Sequence, residues 1–227
     1  MRLLQFAVPP QTTKSKVEEV LSSHPELTLK EFDSDKGSVI ISTSRPVFEA
    51  EDAVREINPK TKLIGQSTEN VSDVAAVAII GGPGGVRGIV RMIQEDARFS
   101  VEGTVEGLKS DVYSVTVNEF GDISDACSST GSILSKTKEG PPEGFLGDIS
   151  GSGEVQTRFT LNSNNLSMYD CIGRSLVLQD KENRVACGII GRSPGLFENN
   201  KKICACDGTV IWEEQKFGPY AVAPSTL

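Results

Sequence analysis

Between residues 74 and 192 no apolar run is longer than a strand, and turn residues separate one run from the next. The runs are Val74 to Ile80, Gly85 to Ile93, Phe99 to Gly103, Tyr113 to Val117, Glu154 to Leu161, Ser175 to Leu178 and Val185 to Ile190. Strands this short, joined by glycine-rich turns such as Gly81-Gly-Pro-Gly-Gly85, predict an antiparallel all-β barrel or sandwich. The chain carries 22 glycines and only three methionines, which suits many tight turns and not a helix bundle. The glycine run is not a phosphate-binding loop, because no Gly-Lys-Ser/Thr follows it.

The first 66 residues read differently. Arg2 to Val8 predicts a strand, and Lys14 to Ser23 puts Val17, Val20 and Leu21 on one helical face. A second strand, Glu26 to Phe32, turns at Asp33-Ser-Asp-Lys-Gly37 into a third, Ser38 to Thr43. Pro46 opens a helix to Ile57 with Val47, Phe48, Ala50, Val54 and Ile57 as its apolar positions, since proline suits a first turn. Thr61 to Ile64 closes the unit. The order βαββαβ predicts an α+β ferredoxin-like sandwich. Residues 67–73 are polar and read as a linker. The predicted layout is therefore 1–66, the linker, a β domain over 74–192, and a tail over 193–227.

At 227 residues the chain is long enough for two modest domains and a tail. A net charge of −8 argues against a nucleic-acid partner, because phosphate binding needs a basic face. Leu3 to Val8 is too short for the apolar core of a signal peptide, and no run approaches the ~20 apolar residues of a membrane helix. The expected location is cytoplasmic, without membrane contact. All five cysteines lie beyond residue 126, and His24 is the one histidine. An odd cysteine count in such a chain points to metal or redox chemistry more than to a secreted disulfide framework.

Cys204-Ala-Cys206 carries the chemistry. Lys201 and Lys202 nearby favour thiolates. In an extended chain residues two apart face the same side, so both sulfurs can point one way and hold a soft ion such as Cu(I). The same pair can exchange disulfides, because a Cys-x-Cys ring is small and strained, and strained disulfides are the labile, oxidising ones. Both readings stand on the residues alone.

Several segments together resemble one family. Gly188-Ile-Ile-Gly-Arg192, the Cys204/Cys206 pair, Asp207-Gly208 and Trp212-Glu-Glu214 are similar to the C-terminal signature of the copper chaperones for superoxide dismutase. Phe120 to Gly131 resembles the Cu,Zn superoxide dismutase loop that holds the first cysteine of its internal disulfide. Asp170 to Val177 resembles the penultimate barrel strand, and Arg184 to Ile190 the final one. The first domain resembles a heavy-metal-associated domain.

The resemblance implies a Greek-key, dismutase-like barrel followed by an extended tail, with Cys127 and Cys187 as a disulfide pair; reduced thiols are the alternative. Cys171 is read as a small buried residue in mid-strand. It implies a heterodimer with Cu,Zn superoxide dismutase, and possibly a homodimer when free. The docking face comprises Gly121, Asp122, Ile123, Tyr169, Ile172, Gly173, Gly188, Ile190 and Arg192. Cys204 and Cys206 would bind Cu(I) transiently and promote the partner's disulfide; zinc is not expected.

Two departures from the family pattern follow. The loop Pro9 to Lys16 stands where a Met-x-Cys-x-x-Cys copper site belongs, and it has no sulfur. Thr116 and Asn118 stand where the dismutase has its His-x-His, so dismutase activity is not expected, and Arg184 is read as a structural or surface residue. A partner that matures dismutase without copper is the competing function.

Overall fold

The computed structural model describes residues 1–69, 74–95, 98–109, 111–137, 140–153, 156–181 and 183–199, in two compact units. Cys204, Cys206 and most of the expected linker lie outside them.

The first unit contains β1 (Arg2–Ala7), α1 (Lys14–Ser22), β2 (Leu27–Asp33), β3 (Ser38–Thr43), α2 (Val47–Ile57) and β4 (Lys62–Thr68). The strands form one antiparallel sheet in the order β2-β3-β1-β4. Thr13 caps α1 by accepting the Lys16 N–H at 3.3 Å. Pro46 precedes α2, whose first turn holds Glu49 and last turn Arg55, as the helix dipole favours. Leu4, Phe6, Val39 and Ile41 of the sheet pack with Val17, Leu21, Ala50 and Val54 of the helices in one core. β4 runs two residues into the stretch expected as linker, because Ser67 and Thr68 keep pairing with Leu3 and Arg2.

The second unit contains β5 (Ala75–Gly81), β6 (Arg87–Glu95), β7 (Arg98–Glu106), β8 (Val112–Asn118), β9 (Phe145–Ser150), β10 (Gln156–Ser163), α3 (Met168–Cys171), β11 (Ser175–Gln179) and β12 (Arg184–Arg192). They make one eight-stranded antiparallel sheet, β10-β7-β6-β5-β12-β11-β8-β9. β5, β6 and β7 form a meander, and the chain then crosses over so that β8 pairs with β11 and β9. The sheet curls until its two end strands meet: a Cβ on Gly147 of β9 would lie 3.2 Å from the Leu161 side chain of β10. Inside this near-barrel, Ile80, Val90, Met92, Phe99, Val101, Val115, Val117, Leu176, Leu178 and Ile190 are buried together.

Two elements differ from the sequence reading. β9 was not expected, because its buried residues Leu146 and Ile149 are three apart and break the two-residue period of a strand. A bulge opposite Val115/Thr116 causes this, with Gly147 at φ +137° supplying the backbone. Cys171 lies not in mid-strand but at the end of α3. Ser167 and Asp170 form a reciprocal capping box that starts this short helix just ahead of β11.

Candidate functional site

In the β domain, Thr116 and Asn118, the two positions expected to match the dismutase His-x-His, belong to a closed polar network. The Thr116 hydroxyl donates to Asn118 Oδ1 at 2.8 Å. Asn118 Nδ2 donates to Thr130 Oγ1 at 3.2 Å and to the Gly131 carbonyl at 3.0 Å. Arg184 completes it: Nη1 donates to Thr130 Oγ1 at 2.7 Å and to the Cys127 carbonyl at 2.9 Å, and Nη2 to the Gly131 carbonyl at 2.6 Å. Thr116, Asn118 and Thr130 are buried, and these bonds satisfy groups that would otherwise be costly to desolvate. Arg184 is therefore a structural residue that pins the 127–131 loop to the barrel wall. Replacing it with methionine keeps the aliphatic stem and removes the charged donor, leaving Thr130 Oγ1 and the Gly131 carbonyl to Asn118 and the Cys127 carbonyl to Thr130. The expected loss is about 1.5–3 kcal/mol, the worth of a hydrogen bond to a charged group, read as a lower thermal midpoint for the β domain.

The same loop is held covalently, since Cys127 and Cys187 form a disulfide, with their Cα atoms 5.6 Å apart. Both sulfurs are buried with Val177 against Ile123. Cys171 is different. It is free and buried, its thiol donates to the Ser167 carbonyl at 3.3 Å, and burial pushes its pKa up to about 12. A thiol so far from its thiolate is a poor nucleophile and a poor metal ligand. Alkylation of the native, disulfide-intact chain near neutral pH should label Cys204 and Cys206 and spare Cys171 until denaturant is added. Mass spectrometry of the tryptic peptides reads this directly.

Residues 1–69 hold no cysteine. The loop after β1 has no sulfur, and His24, just past the end of α1, lies beside Glu26 and Glu56, at 3.7 and 3.3 Å. Among the described residues, no group of three or more His, Cys, Asp or Glu is placed to hold a metal ion.

The three segments expected to form a docking face do come together. A Cβ on Gly121 would lie 2.0 Å from the Gly173 carbonyl oxygen, so only glycine allows this approach. The Gly173 N–H donates to the Ile190 carbonyl and the Ile190 N–H to the Arg174 carbonyl, each at 2.8 Å. Arg174, which sequence reasoning passed over, donates to the carbonyls of Asp170 and Glu119 and so fastens two of the segments. Asp122 turns its carboxylate to the Ser124 hydroxyl and N–H, which hold its pKa below the usual range.

Beside this junction Tyr169 and Ile172 are exposed. Ile190 faces the other way, 1% exposed in the core, and Gly188 is also buried. The outward residue is Ile189, 45% exposed. The register that pairs Cys187 with Gly81 and Ile190 with Ala78 puts Ile189 opposite Ile79, which in turn pairs with Ile89. Ile79 and Ile89 are 44% and 39% exposed, so three isoleucines on β12, β5 and β6 make a solvent-facing apolar row. Alternation along Ala78-Ile79-Ile80 was the available signal: with Ile80 inward, Ile79 has to point out.

Residues 86–190 match the family described as copper/zinc superoxide dismutase (SODC). The second unit thus contains a dismutase-type β domain, in which Thr116, Asn118, Thr130 and Arg184 form a closed polar network. Over longer stretches the chain resembles proteins named copper chaperone for superoxide dismutase. The human one is 33% identical over 205 residues, covering 78% of this chain and 75% of the human protein. The pig one is 32% identical over 244 residues, covering 94% and 89%. The one from Oryza sativa subsp. japonica, named chloroplastic, is 35% identical over 191 residues, covering 81% and 61%. The chain belongs to the family of copper chaperones for superoxide dismutase.

Proposed function

We propose that this protein docks onto Cu,Zn superoxide dismutase as a heterodimer, delivers Cu(I) from Cys204 and Cys206, and leaves the dismutase with its internal disulfide formed. The observation that supports this best is a dismutase-type barrel that keeps an apolar outer row and a tightly built junction while its metal positions are closed by hydrogen bonds. A barrel of this kind can pair like a dismutase but has no histidine with which to cycle copper. Tyr169, Ile172, Ile189, Ile79 and Ile89 supply the apolar contact, and Gly121, Asp122, Ile123, Gly173 and Arg192 its surround. The same face would close a homodimer when no partner is present.

The first unit is read as a ferredoxin-like, heavy-metal-associated type of domain without its thiols, so the tail has to receive Cu(I) itself. Two thiolates suit Cu(I), and histidines of the docked partner can take it from an exposed site. In the disulfide step, the two thiols left free when Cu(I) departs are oxidised by dioxygen to a Cys204–Cys206 disulfide, with hydrogen peroxide as the product, and a dismutase thiolate attacks that disulfide to give a mixed disulfide. The partner's second thiolate then resolves it, so that two electrons and two protons pass to the tail. The cytoplasm is the proposed place of action.

The test is light scattering of the chain mixed with reduced, copper-free dismutase, together with a superoxide assay of the chain alone supplied with copper and zinc. A one-to-one complex and no turnover are expected. Absence of a complex, or turnover by the chain itself, would overturn the reading. Dismutase that gains its disulfide but no copper would favour the copper-independent maturation partner.

A further inference from the structure

The stretch that leaves β12, Ser193 to Asn199, belongs to the first compact unit and not to the β domain. It is seated on β4 and β1 by contacts from both sides. The Gln66 N–H of β4 donates to the Pro194 carbonyl at 3.2 Å, adding one backbone bond to the open edge of the sheet. Gly65 lets the segment come close: a Cβ there would stand 2.6 Å from the Gly195 carbonyl oxygen.

Gln5, in the middle of an apolar strand and 4% exposed, is otherwise a costly residue to bury. Both ends of its amide are used. Nε2 donates to Ser38 Oγ at 3.0 Å, and Oε1 accepts the Phe197 N–H at 2.7 Å. The segment also folds upon itself. Glu198 Oε2 accepts the Gly195 N–H at 2.9 Å, and Phe197 takes the left-handed conformation, φ +64°, which a bulky residue adopts only when its surroundings require it.

We propose that the first unit works as a clamp for the root of the thiol-bearing tail, and that this is the role left to a domain whose own metal loop has no sulfur. Cys204 is five residues past Asn199, so its Cα stays within about 17 Å of the clamped end, at ~3.4 Å per residue. A tether that short confines the two thiols to a small volume and raises their effective concentration at whatever lies within reach. The positioning part rests on the function proposed above; the clamp itself does not.

The test uses the full chain and two variants. Gly65→Val drives a side chain into the Gly195 carbonyl while suiting a strand. Phe197→Pro removes the amide that Gln5 accepts and forbids positive φ, and it lies outside the sheet, so it leaves the first unit able to fold. Hydrogen exchange at the Gln66 amide should rise about tenfold or more in both variants, as for a locally opened backbone bond. Dismutase activation should slow several-fold, with Cu(I) retention and complex formation unchanged. Undiminished protection of Gln66 in Phe197→Pro would overturn the clamp. Lost protection with activation at the wild-type rate would overturn its positioning role. If the unsubstituted chain fails to activate dismutase at all, the proposed function falls, and the exchange result still decides the clamp.

Discussion

Replacing Ile189 with glutamate should weaken association with copper-free dismutase by roughly one to three orders of magnitude and leave the fold intact. Ile189 is nearly half exposed, so a polar side chain there costs the free chain little, within about 0.5 kcal/mol. In a docked complex it would sit at the middle of the apolar contact, between the Ile79–Ile89 pair and the junction where Gly121, Gly173 and Ile190 meet. A carboxylate desolvated against isoleucine has no partner to offset its lost hydration. Central interface residues typically contribute about 2–4 kcal/mol, so affinity should fall roughly 30- to 900-fold, which titration calorimetry reads directly. Ile190→Glu makes the contrast. That side chain is buried in the barrel core, and the same change there should unfold the β domain instead of only undocking it.

Converting Cys204 and Cys206 together to serine should remove Cu(I) retention completely. The other cysteines are committed elsewhere: Cys127 and Cys187 to each other, and Cys171 to a buried site that keeps its proton. Met92 and Met168 are buried in the core, and Met1, though exposed, offers a single thioether, a weaker ligand than a pair of thiolates. Serine hydroxyls are hard donors and hold Cu(I) poorly. The measurement is metal content after gel filtration of the reduced, Cu(I)-loaded protein against a competing chelator. Retention unchanged in the double variant would move the metal site off the tail. The barrel's thermal midpoint should not change, because its core is built from residues between Ala76 and Ile190.

The sequence told most where local and global signals agreed. In the first unit, helix starts at Thr13 and Pro46 and the turn at Asp33 to Gly37 follow from side-chain chemistry that acts within a few residues, and the first three strands fell within a residue of their place, while β4 runs four residues past the expected Ile64. It told less where tertiary geometry overrides a local period. β9 was hidden because the bulge at Gly147 shifts which residues face inward. Cys171 was misplaced because a four-residue helix is specified by a capping box, Ser167 with Asp170, and not by an apolar stripe.

That the three segments expected at a docking face meet was legible, but which of their side chains point outward was not. Ile190 was chosen where Ile189 points outward, a one-residue error that turns a side chain to the opposite face of a strand. The network around Arg184 could not be read from spacing at all, since its partners are more than fifty residues away. The segment from Ser193 to Asn199 was read as the start of a free tail. Its anchors, Gln5, Gly65 and Gln66, lie at the other end of the chain.

The most direct test of the account is activation in a defined mixture. Reduced, zinc-bound, copper-free dismutase is combined in air-saturated buffer, with dioxygen as the two-electron oxidant, with chain that has been treated with Cu(I) and gel-filtered, either unsubstituted or carrying Cys204→Ser/Cys206→Ser, and superoxide turnover and the dismutase disulfide are followed together. The account predicts active, disulfide-bonded dismutase with the unsubstituted chain and neither activity nor disulfide with the double variant. Equal activation by both chains would contradict it.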